Sequence, residues 1–416
     1  MRWLVLFFTS VALPAQESPT KKAPPRDAPS AAATPRQLTL PVPEAPPLDL
    51  ALATKAAIAA TLALQEGEGG DQWPYQGVYR EDASPSPVGY RVGGTAIACL
   101  GLLAAPGYRS DPDRTDAVKR GLTFVLATLD HERMQADFIG TYDVRGWGHI
   151  YALQFFLSVQ DAQLVPEPLQ EAVAAKTKWL VETLVASAIP ESGGWNYSRP
   201  LGYLNAQNRA STFMTAPALQ VLFYAKARGH AVPDQVVTQG LDALERARAK
   251  PGGYAYGATG KSQAEVEEGG LTMMDKTPSS AARAAVCETT LALAGRGDAQ
   301  RLQRAVDLFF AHWDDLAVRK SQPRTHIMPY GMAPYYFLFG HVYCAQAIEQ
   351  IDDAEKKASL REKMRAVLAK SREADGSWND RQFGRSGGYG TGLALLTLYM
   401  QHVPKPLAWM PSAAKK

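Results

Sequence analysis

The chain has 416 residues, 46% of them hydrophobic, so it can bury a large core as one big domain or two ordinary ones. Its formal net charge is +3, spread along the chain without a Lys/Arg block in the body. This distribution argues against nucleic acid as a partner.

The first fifteen residues predict a secretory signal peptide. Met1 and Arg2 precede the short apolar run of residues 3–13, and Leu13-Pro14-Ala15 offers a cleavage site before Gln16. This run is too short to span a bilayer, and no later segment is long enough without a charge. We therefore expect an exported protein, periplasmic or secreted, with no transmembrane segment.

Residues 16–48 predict a disordered linker. Nine prolines stand among Ala, Ser and Thr in this stretch. A segment of this composition cannot bury enough apolar surface to offset the entropy of ordering it. We expect one folded domain at residues 49–409, followed by a short tail at 410–416.

Two kinds of sequence segment alternate beyond residue 48. Residues 116–129 and 170–182 place apolar side chains at i, i+3 and i+4, which is typical of amphipathic helices. Between such segments lie Gly/aromatic turns, at residues 193–197, 252–256 and 375–378. Strand signals are scarce, so the predicted fold class is all-α.

The three cysteines lie within helical patterns rich in Ala and Leu. Cys99, Cys287 and Cys344 are too few, and odd in number, for the disulfide scaffold of an exported protein. Their spacing fits no metal motif. We expect buried free thiols, no metal site and no cofactor.

The segments that follow the turns repeat one another. Gly148-His-Ile-Tyr-Ala-Leu-Gln154 and Gly340-His-Val-Tyr-Cys-Ala-Gln346 share Gly-His-x-Tyr-x-x-Gln. Four further segments fit the same template: residues 94–102, 215–222, 286–293 and 390–398. Six copies indicate a helix-pair repeat. Six helical hairpins can close into a ring with these helices inside, where the second and fifth copies lie opposite one another.

A family resemblance supports this architecture. The segment ADGSWNDRQFGRSGGYGTGLALLTL, residues 374–398, resembles the QW-type repeat of squalene and hopene cyclases followed by its inner helix. Residues 120–124 resemble the start of another such repeat, with Thr128 where that motif has Gln. Gly193-Gly-Trp195 and Gly252-Gly-Tyr254 are also similar to turns in the β subunits of protein prenyltransferases.

Over about residues 50–400 the order of elements resembles exported bacterial proteins with prenyltransferase/squalene oxidase repeats. The resemblance implies an all-α (α/α)6 toroid, six helical-hairpin repeats around a central cavity. It does not by itself imply an activity.

Two activities of the resembling families lack their motifs in this sequence. Squalene-type cyclases use an Asp-x-Asp-Asp acid, but Asp314-Asp315 and Asp352-Asp353 have no leading Asp and are interpreted as helix surface. Protein prenyltransferases hold zinc with an Asp-x-Cys pair. In this chain the residues two places before the cysteines are Ile97, Ala285 and Val342.

The candidate catalytic residues are polar groups on or near the inner helices. Imidazole titrates near neutral pH, and each repeated His is expected near one mouth of the cavity, either bonded within its own repeat or functional. Glu288 interrupts an apolar helix, which is costly unless it is paired or functional. The catalytic candidates are His149, His341, Glu288, Asp143 and Arg145; the ligand-binding candidates are Tyr142, Trp147, Tyr151, Tyr330, Tyr335 and Tyr343.

Two functional classes follow. The sequence favours a non-catalytic binding or scaffold module whose aromatic-lined cavity takes a small apolar or glycan ligand. The alternative is an enzyme, either terpenoid-cyclase-like without the Asp-x-Asp-Asp acid or a glycan-active (α/α)6 lyase or hydrolase.

Overall fold

Thirteen α-helices and four two-residue strands make up the part of the chain that the computed structural model describes. That part is residues 48–75, 87–138, 144–197, 204–249, 252–258, 277–318, 320, 333, 335–381 and 384–412. It belongs to one unit, Pro43–Lys416. The site candidates Tyr142, Asp143 and Tyr330 fall outside the described residues, as do the predicted signal peptide and most of the predicted linker.

The helices are α1 Leu50–Ala63, α2 Val88–Ala104, α3 Pro112–Thr128, α4 Arg145–Asp161, α5 Gln170–Ala186, α6 Thr212–Ala227, α7 Asp234–Arg246, α8 Thr277–Leu293, α9 Ala299–Ala311, α10 Trp313–Ala317, α11 Tyr336–Glu349, α12 Ala354–Ala369 and α13 Gly387–Leu398. The strands form two antiparallel pairs. β1 (Ala210–Ser211) pairs with β4 (Gly257–Ala258), and β2 (Arg248–Ala249) pairs with β3 (Gly253–Tyr254).

Six helices close an inner ring. In ring order they are α2, α4, α6, α8, α11 and α13, each packed on the next, and α13 packs back on α2. An outer helix covers each of them: α3, α5, α7, α9 and α12 pack on the inner helix that precedes them, and α1 packs on α13. The (α/α)6 toroid predicted from the six repeats is confirmed.

The distribution of apolar residues around each helix determines whether it lies in the inner or the outer layer. Inner helices such as α13 are buried on every side and have no polar face, whereas α7 buries one stripe that includes Val237, Leu241 and Leu244. Glycine permits the ring to close. A Cβ on Gly101 of α2 would lie 2.4 Å from the carbonyl oxygen of Gly392 in α13, so a larger residue at Gly101 would force these helices apart.

Three buried tryptophans join the outer helices to the inner ring in one repeated arrangement. In each, the Trp backbone N–H donates to a Thr Oγ1 on an inner helix, and the indole Nε1–H donates to a carbonyl near the end of the outer helix. The sets are Trp73 with Thr95 and Thr61, Trp195 with Thr215 and Leu184, and Trp378 with Thr391 and Leu368. The Gly/aromatic turns are thus the junctions of the repeats.

The C-terminal segment covers part of the ring where the inner helices end. The Trp409 backbone N–H donates to the Leu293 carbonyl at 2.9 Å, and its ring packs on Phe223 with centroids 5.4 Å apart. The Ser412 N–H donates to Asp234. This end is therefore covered at α6 and α8.

The three cysteines are buried and free, as predicted. Burial raises the pKa of each thiol, which keeps them protonated and unreactive. Within the described residues, no helix is both long enough and apolar enough to cross a membrane.

Candidate active site

The duplicated motif brings two tyrosines together across the ring axis. Tyr151 on α4 and Tyr343 on α11 lie on the second and fifth inner helices, and their hydroxyl oxygens are 3.3 Å apart. The predicted opposition of the second and fifth repeats is therefore correct. The two copies of the motif thus bring two Tyr side chains into contact at the centre of the ring.

The two histidines point the other way. A helix turns by about 100° per residue, so a residue two places before an inward Tyr faces outward. The His149 Nε2–H donates to the Met134 carbonyl at 2.9 Å, and its ring packs edge-on against Trp179 of outer helix α5. Burial lowers its pKa to about 3, with a smaller contribution from the charge of Arg145.

His341 is held in the same outward orientation by two hydrogen bonds. Its Nδ1–H donates to the Phe337 carbonyl at 2.8 Å, and its Nε2 accepts the indole N–H of Trp313 at 2.8 Å. These partners fix the neutral tautomer. Burial lowers its pKa to about 4.

The expected position of His149 and His341 at a cavity mouth is wrong. Both side chains are 0% exposed and lie between the inner and outer layers. Their position in the repeat predicted a place at the mouth. Each His, however, lies two residues before an inward-facing Tyr and therefore faces outward. Any catalytic role for these two residues stays a prediction.

We expect His341→Ala to lower the free energy of unfolding by about 1–3 kcal/mol, because it leaves the Trp313 N–H buried without an acceptor. His149→Ala is expected to lower it by a similar amount. Since the two sites lie on opposite sides of the ring, the losses should add in the double variant. Urea denaturation measures this, with exposed His402→Ala as the neutral control. Losses that do not exceed the control would contradict the structural role.

Glu288 and Arg145 lie within the wall of the toroid. The Glu288 carboxylate accepts hydrogen bonds from Tyr254 Oη at 2.8 Å and from Arg248 Nη2 at 3.1 Å, and lies 3.4 Å from Arg301. The Arg145 guanidinium donates to the Gln135 carbonyl. Glu288 is therefore paired, which was one of its two expected explanations, and it joins α8 to α9 and the β2–β3 hairpin.

An aromatic cluster lies at the N-terminal ends of α2, α4 and α13. Tyr75 packs on Tyr389 with ring centroids 4.5 Å apart, on Tyr90 at 5.2 Å and on Trp147 at 5.9 Å. Trp147 also packs on Tyr151 at 5.3 Å. This cluster continues inward to the central tyrosine pair.

A second cluster lies across the ring, at the N-terminal ends of α6, α8 and α11. The Tyr197 hydroxyl is hydrogen-bonded to those of Tyr256 and Tyr335, the latter at 3.1 Å. Tyr335 packs against Phe213 with ring centroids 5.2 Å apart. The Arg283 guanidinium stacks over Tyr256 at 5.4 Å. Both clusters lie at this end of the ring, and both are rich in phenol groups.

Arg381 connects the two clusters. Its Nε–H donates to the Tyr75 hydroxyl at 2.6 Å. Its guanidinium lies 5.2 Å from the Tyr75 ring centroid in the first cluster and 5.7 Å from the Tyr335 ring centroid in the second. A guanidinium at this distance over aromatic faces is stabilised by their quadrupoles.

Asp380 is the one carboxyl group among the described residues that is buried in this region without a hydrogen-bond partner. Its side chain is 0% exposed, and neither Oδ atom has a partner within the described residues. Burial raises its pKa to about 7, although the charges of Arg381 and Lys320 and its own amide oppose the rise. The charge of Asp380 in turn raises the pKa of Tyr389, after the larger effect of burial. Asp380 therefore directly precedes Arg381, which contacts both clusters, and it can hold a proton near neutral pH.

The structure brings together only some of the predicted site residues. Trp147, Tyr151 and Tyr343 are contiguous, and Tyr335 belongs to the second cluster. The residues of the two clusters and their surroundings that were not predicted from the sequence are Tyr75, Tyr197, Tyr256, Tyr389, Asp380 and Arg381. The signal for Asp380 was available, since it lies two residues after Trp378 in the QW-type segment, but an Asp in a polar turn is ordinarily exposed. Ligand binding by these residues stays a prediction.

The toroid is similar to solved structures of diverse activity. One is an inactive variant of the α-1,6-mannanase of Salegentibacter sp. HEL1_6 in complex with α-1,6-mannotriose, with a TM-score of 0.51, 12% identity and coverage of 85% of this chain and 99% of that one. Cellobiose 2-epimerase from Bacillus thermoamylovorans gives a TM-score of 0.50 at 11% identity, covering 84% and 98%. A type II terpene cyclase from Scytonema gives 0.49 at 13% identity, covering 85% and 98%.

At these identities the similarity establishes the fold alone. No protein-family model matches the sequence, and no curated protein sequence matches it.

Proposed function

We propose that this protein is a glycan-active enzyme in which Asp380 acts as the general acid. The proposal rests on the buried Asp380 carboxyl, which has no hydrogen-bond partner within the described residues and directly precedes Arg381 between the two aromatic clusters. Its pKa of about 7 lets it hold a proton at neutral pH. A carboxylic acid with a raised pKa is the group that protonates the leaving oxygen in glycoside cleavage. A pure binding module gives such a costly group no role.

The composition of the two clusters supports a hydroxyl-rich substrate. They carry phenol groups, for example on Tyr75, Tyr197 and Tyr335, together with the Arg381 guanidinium. Aromatic faces can stack on sugar rings while phenol oxygens exchange hydrogen bonds with sugar hydroxyls. Two proteins of similar fold are named for action on sugars, an α-1,6-mannanase and a cellobiose 2-epimerase. An inactive variant of the mannanase is bound to α-1,6-mannotriose.

The proposed step is hydrolysis. The Asp380 O–H donates its proton to a glycosidic oxygen while the bond from that oxygen to the anomeric carbon breaks, and the leaving group departs as an alcohol. Arg381 stabilises the carboxylate that remains, since its charge lowers the pKa of Asp380. Water then adds to the anomeric carbon and returns a proton to Asp380. Because the Asp380 side chain is fully covered, a neighbouring side chain must move when substrate binds.

We expect the protein to release shorter sugars from at least one member of a panel of α-1,6-manno-, β-1,4-gluco- and uronate-containing oligosaccharides, measured by mass spectrometry. Asp380→Asn should lower the rate about a hundredfold or more, because general acid catalysis contributes about 10²–10⁴-fold. The wild-type rate should also fall as pH rises past about 7, where Asp380 loses its proton.

Exposed Asp352→Asn is the matched control and should keep the wild-type rate. Equal product from Asp380→Asn and wild type would contradict the assignment of the acid. The absence of product from every oligosaccharide, with no binding, would contradict the function.

A further inference from the structure

The faces of α4 and α11 that meet the ring axis become more exposed toward the C-terminal ends of these helices. Tyr151 and Tyr343 are buried where they meet on the axis. One turn further along the same faces, Gln154 and Gln346 are half-buried, although the residues on either side of each along the chain are buried. Open space therefore adjoins these two side chains, on the C-terminal side of the tyrosine pair.

The difference in side-chain length explains this gap. Two Tyr side chains span the distance between the opposite helices, with hydroxyl oxygens 3.3 Å apart. Because Gln is shorter than Tyr, the next turn of the same two helices leaves a gap between its carboxamides. Gln346 bonds sideways instead, and its Oε1 accepts the Nε2–H of Gln220 on α6 at 2.9 Å. The Gln154 side chain makes no hydrogen bond within the described residues.

The groups around this gap are polar and neutral. Gln220 Nε2 also donates to Thr290 Oγ1 of α8 at 3.0 Å. Ser158 follows on the same face of α4 and is half-buried. Gln350 lies two turns after the inward Tyr of α11, and its Nε2 is buried without a partner within the described residues. A buried donor without a partner is costly, so a ligand that accepts from it is favoured.

The C-terminal segment borders one side of the gap. The Trp409 N–H donates to the Leu293 carbonyl, and its ring packs on Phe223, each one turn beyond the polar groups of α8 and α6. On the other side, an open cleft of about 560 Å³ lies between the C-terminal ends of α2 and α4, and its lining includes Leu103 and Ala162. This end of the ring is therefore open beside α2 and α4.

We propose that the gap between Gln154 and Gln346 is a second binding site, which takes a small uncharged polyhydroxy compound such as a monosaccharide or a sugar alcohol. A hydroxyl both donates and accepts at one atom, so adjacent hydroxyls satisfy the glutamines whichever way their amides are turned. A charged ligand would find no compensating charge among these neutral groups. The inference does not depend on the proposed function, because Asp380 lies toward the opposite end of the ring, where Arg381 contacts the aromatic clusters.

The test follows the side-chain amides of glutamine by two-dimensional ¹H–¹⁵N NMR while mannose, glucose or mannitol is added. None of these probes contains a glycosidic bond between sugars, so hydrolysis cannot interfere. Spectra of Gln154→Met and Gln346→Met assign the two signals, and we expect both to shift saturably with at least one probe. Gln154→Met should weaken that binding about fivefold, the loss of roughly one hydrogen bond. Its stability should be unchanged, because the side chain has no hydrogen bond to lose within the described residues.

Gln170→Met, at an exposed position of outer helix α5, is the matched control and should keep the wild-type affinity. Circular dichroism verifies that each variant folds. The inference is overturned if no probe shifts the Gln154 and Gln346 signals saturably, or if Gln154→Met binds as tightly as wild type. Saturable shifts with N-methylacetamide and with none of the three probes would overturn the ligand class. Asp380→Asn should bind the probes as wild type does, and loss of binding in that variant would contradict a separate site.

Discussion

Asp380→Asn is expected to stabilise the protein by about 4 kcal/mol at pH 8 relative to its effect at pH 4. The folded-state pKa of Asp380 is about 7, above its ordinary value of 3.8. Between these pH values the folded protein holds a proton that the unfolded chain has released, so raising the pH favours unfolding. The difference between 7 and 3.8, at about 1.36 kcal/mol for each pKa unit, amounts to about 4 kcal/mol.

The stabilising effect of this proton is therefore fully present below about pH 4 and is lost as pH rises through about 7. Urea denaturation of wild type and variant across pH 4–8 measures it. The buried histidines act in the opposite direction at low pH, since their pKa values are lowered, but their effect is common to both proteins and cancels in the difference. Asp352→Asn should leave the wild-type slope unchanged. Stability curves for wild type and Asp380→Asn that run parallel across this range would refute the raised pKa.

Trp378→Ala is expected to lower the free energy of unfolding by about 3–5 kcal/mol, the loss typical of a fully buried Trp. Its side chain is 0% exposed and joins outer helix α12 to inner helix α13 through Leu368 and Thr391. Trp378→Phe keeps most of the ring contacts but loses the indole hydrogen bond, so a smaller loss of about 1–3 kcal/mol is expected.

The matched control for this prediction is Trp409→Ala, because Trp409 is only partly buried and lies on the covering C-terminal segment. Urea denaturation should rank the three variants, with Trp378→Ala the least stable. If Trp378→Ala unfolds within about 1 kcal/mol of wild type, the repeat junctions do not hold the two layers together.

The fold was predictable because the sequence contains six copies of one helix-pair repeat. The inner copies lack a continuous polar face, and the spacing of Gly148 and Gly340 with their following Tyr residues is the same. Ring closure follows once six such helices must bury all their faces. The pairing of Tyr151 with Tyr343 extended this symmetry to the centre of the ring.

The candidate site was only partly predictable, for a physical reason. His149 and His341 drew attention because imidazole is reactive, but their orientation depends on which face of the helix meets the axis. Asp380 was not predicted because its raised pKa comes from burial, which depends on the folded structure. Burial of a polar turn residue is a tertiary property that local pattern does not contain.

A carboxyl ¹³C NMR titration of protein labelled at aspartate measures whether Asp380 holds a proton near neutral pH and responds to a ligand. One signal, missing from Asp380→Asn, should titrate near pH 7, and it should move when the oligosaccharide that the protein cleaves in the panel is added. An Asp380 signal that titrates near pH 4 and does not respond to that oligosaccharide would contradict the assignment of Asp380 as the general acid.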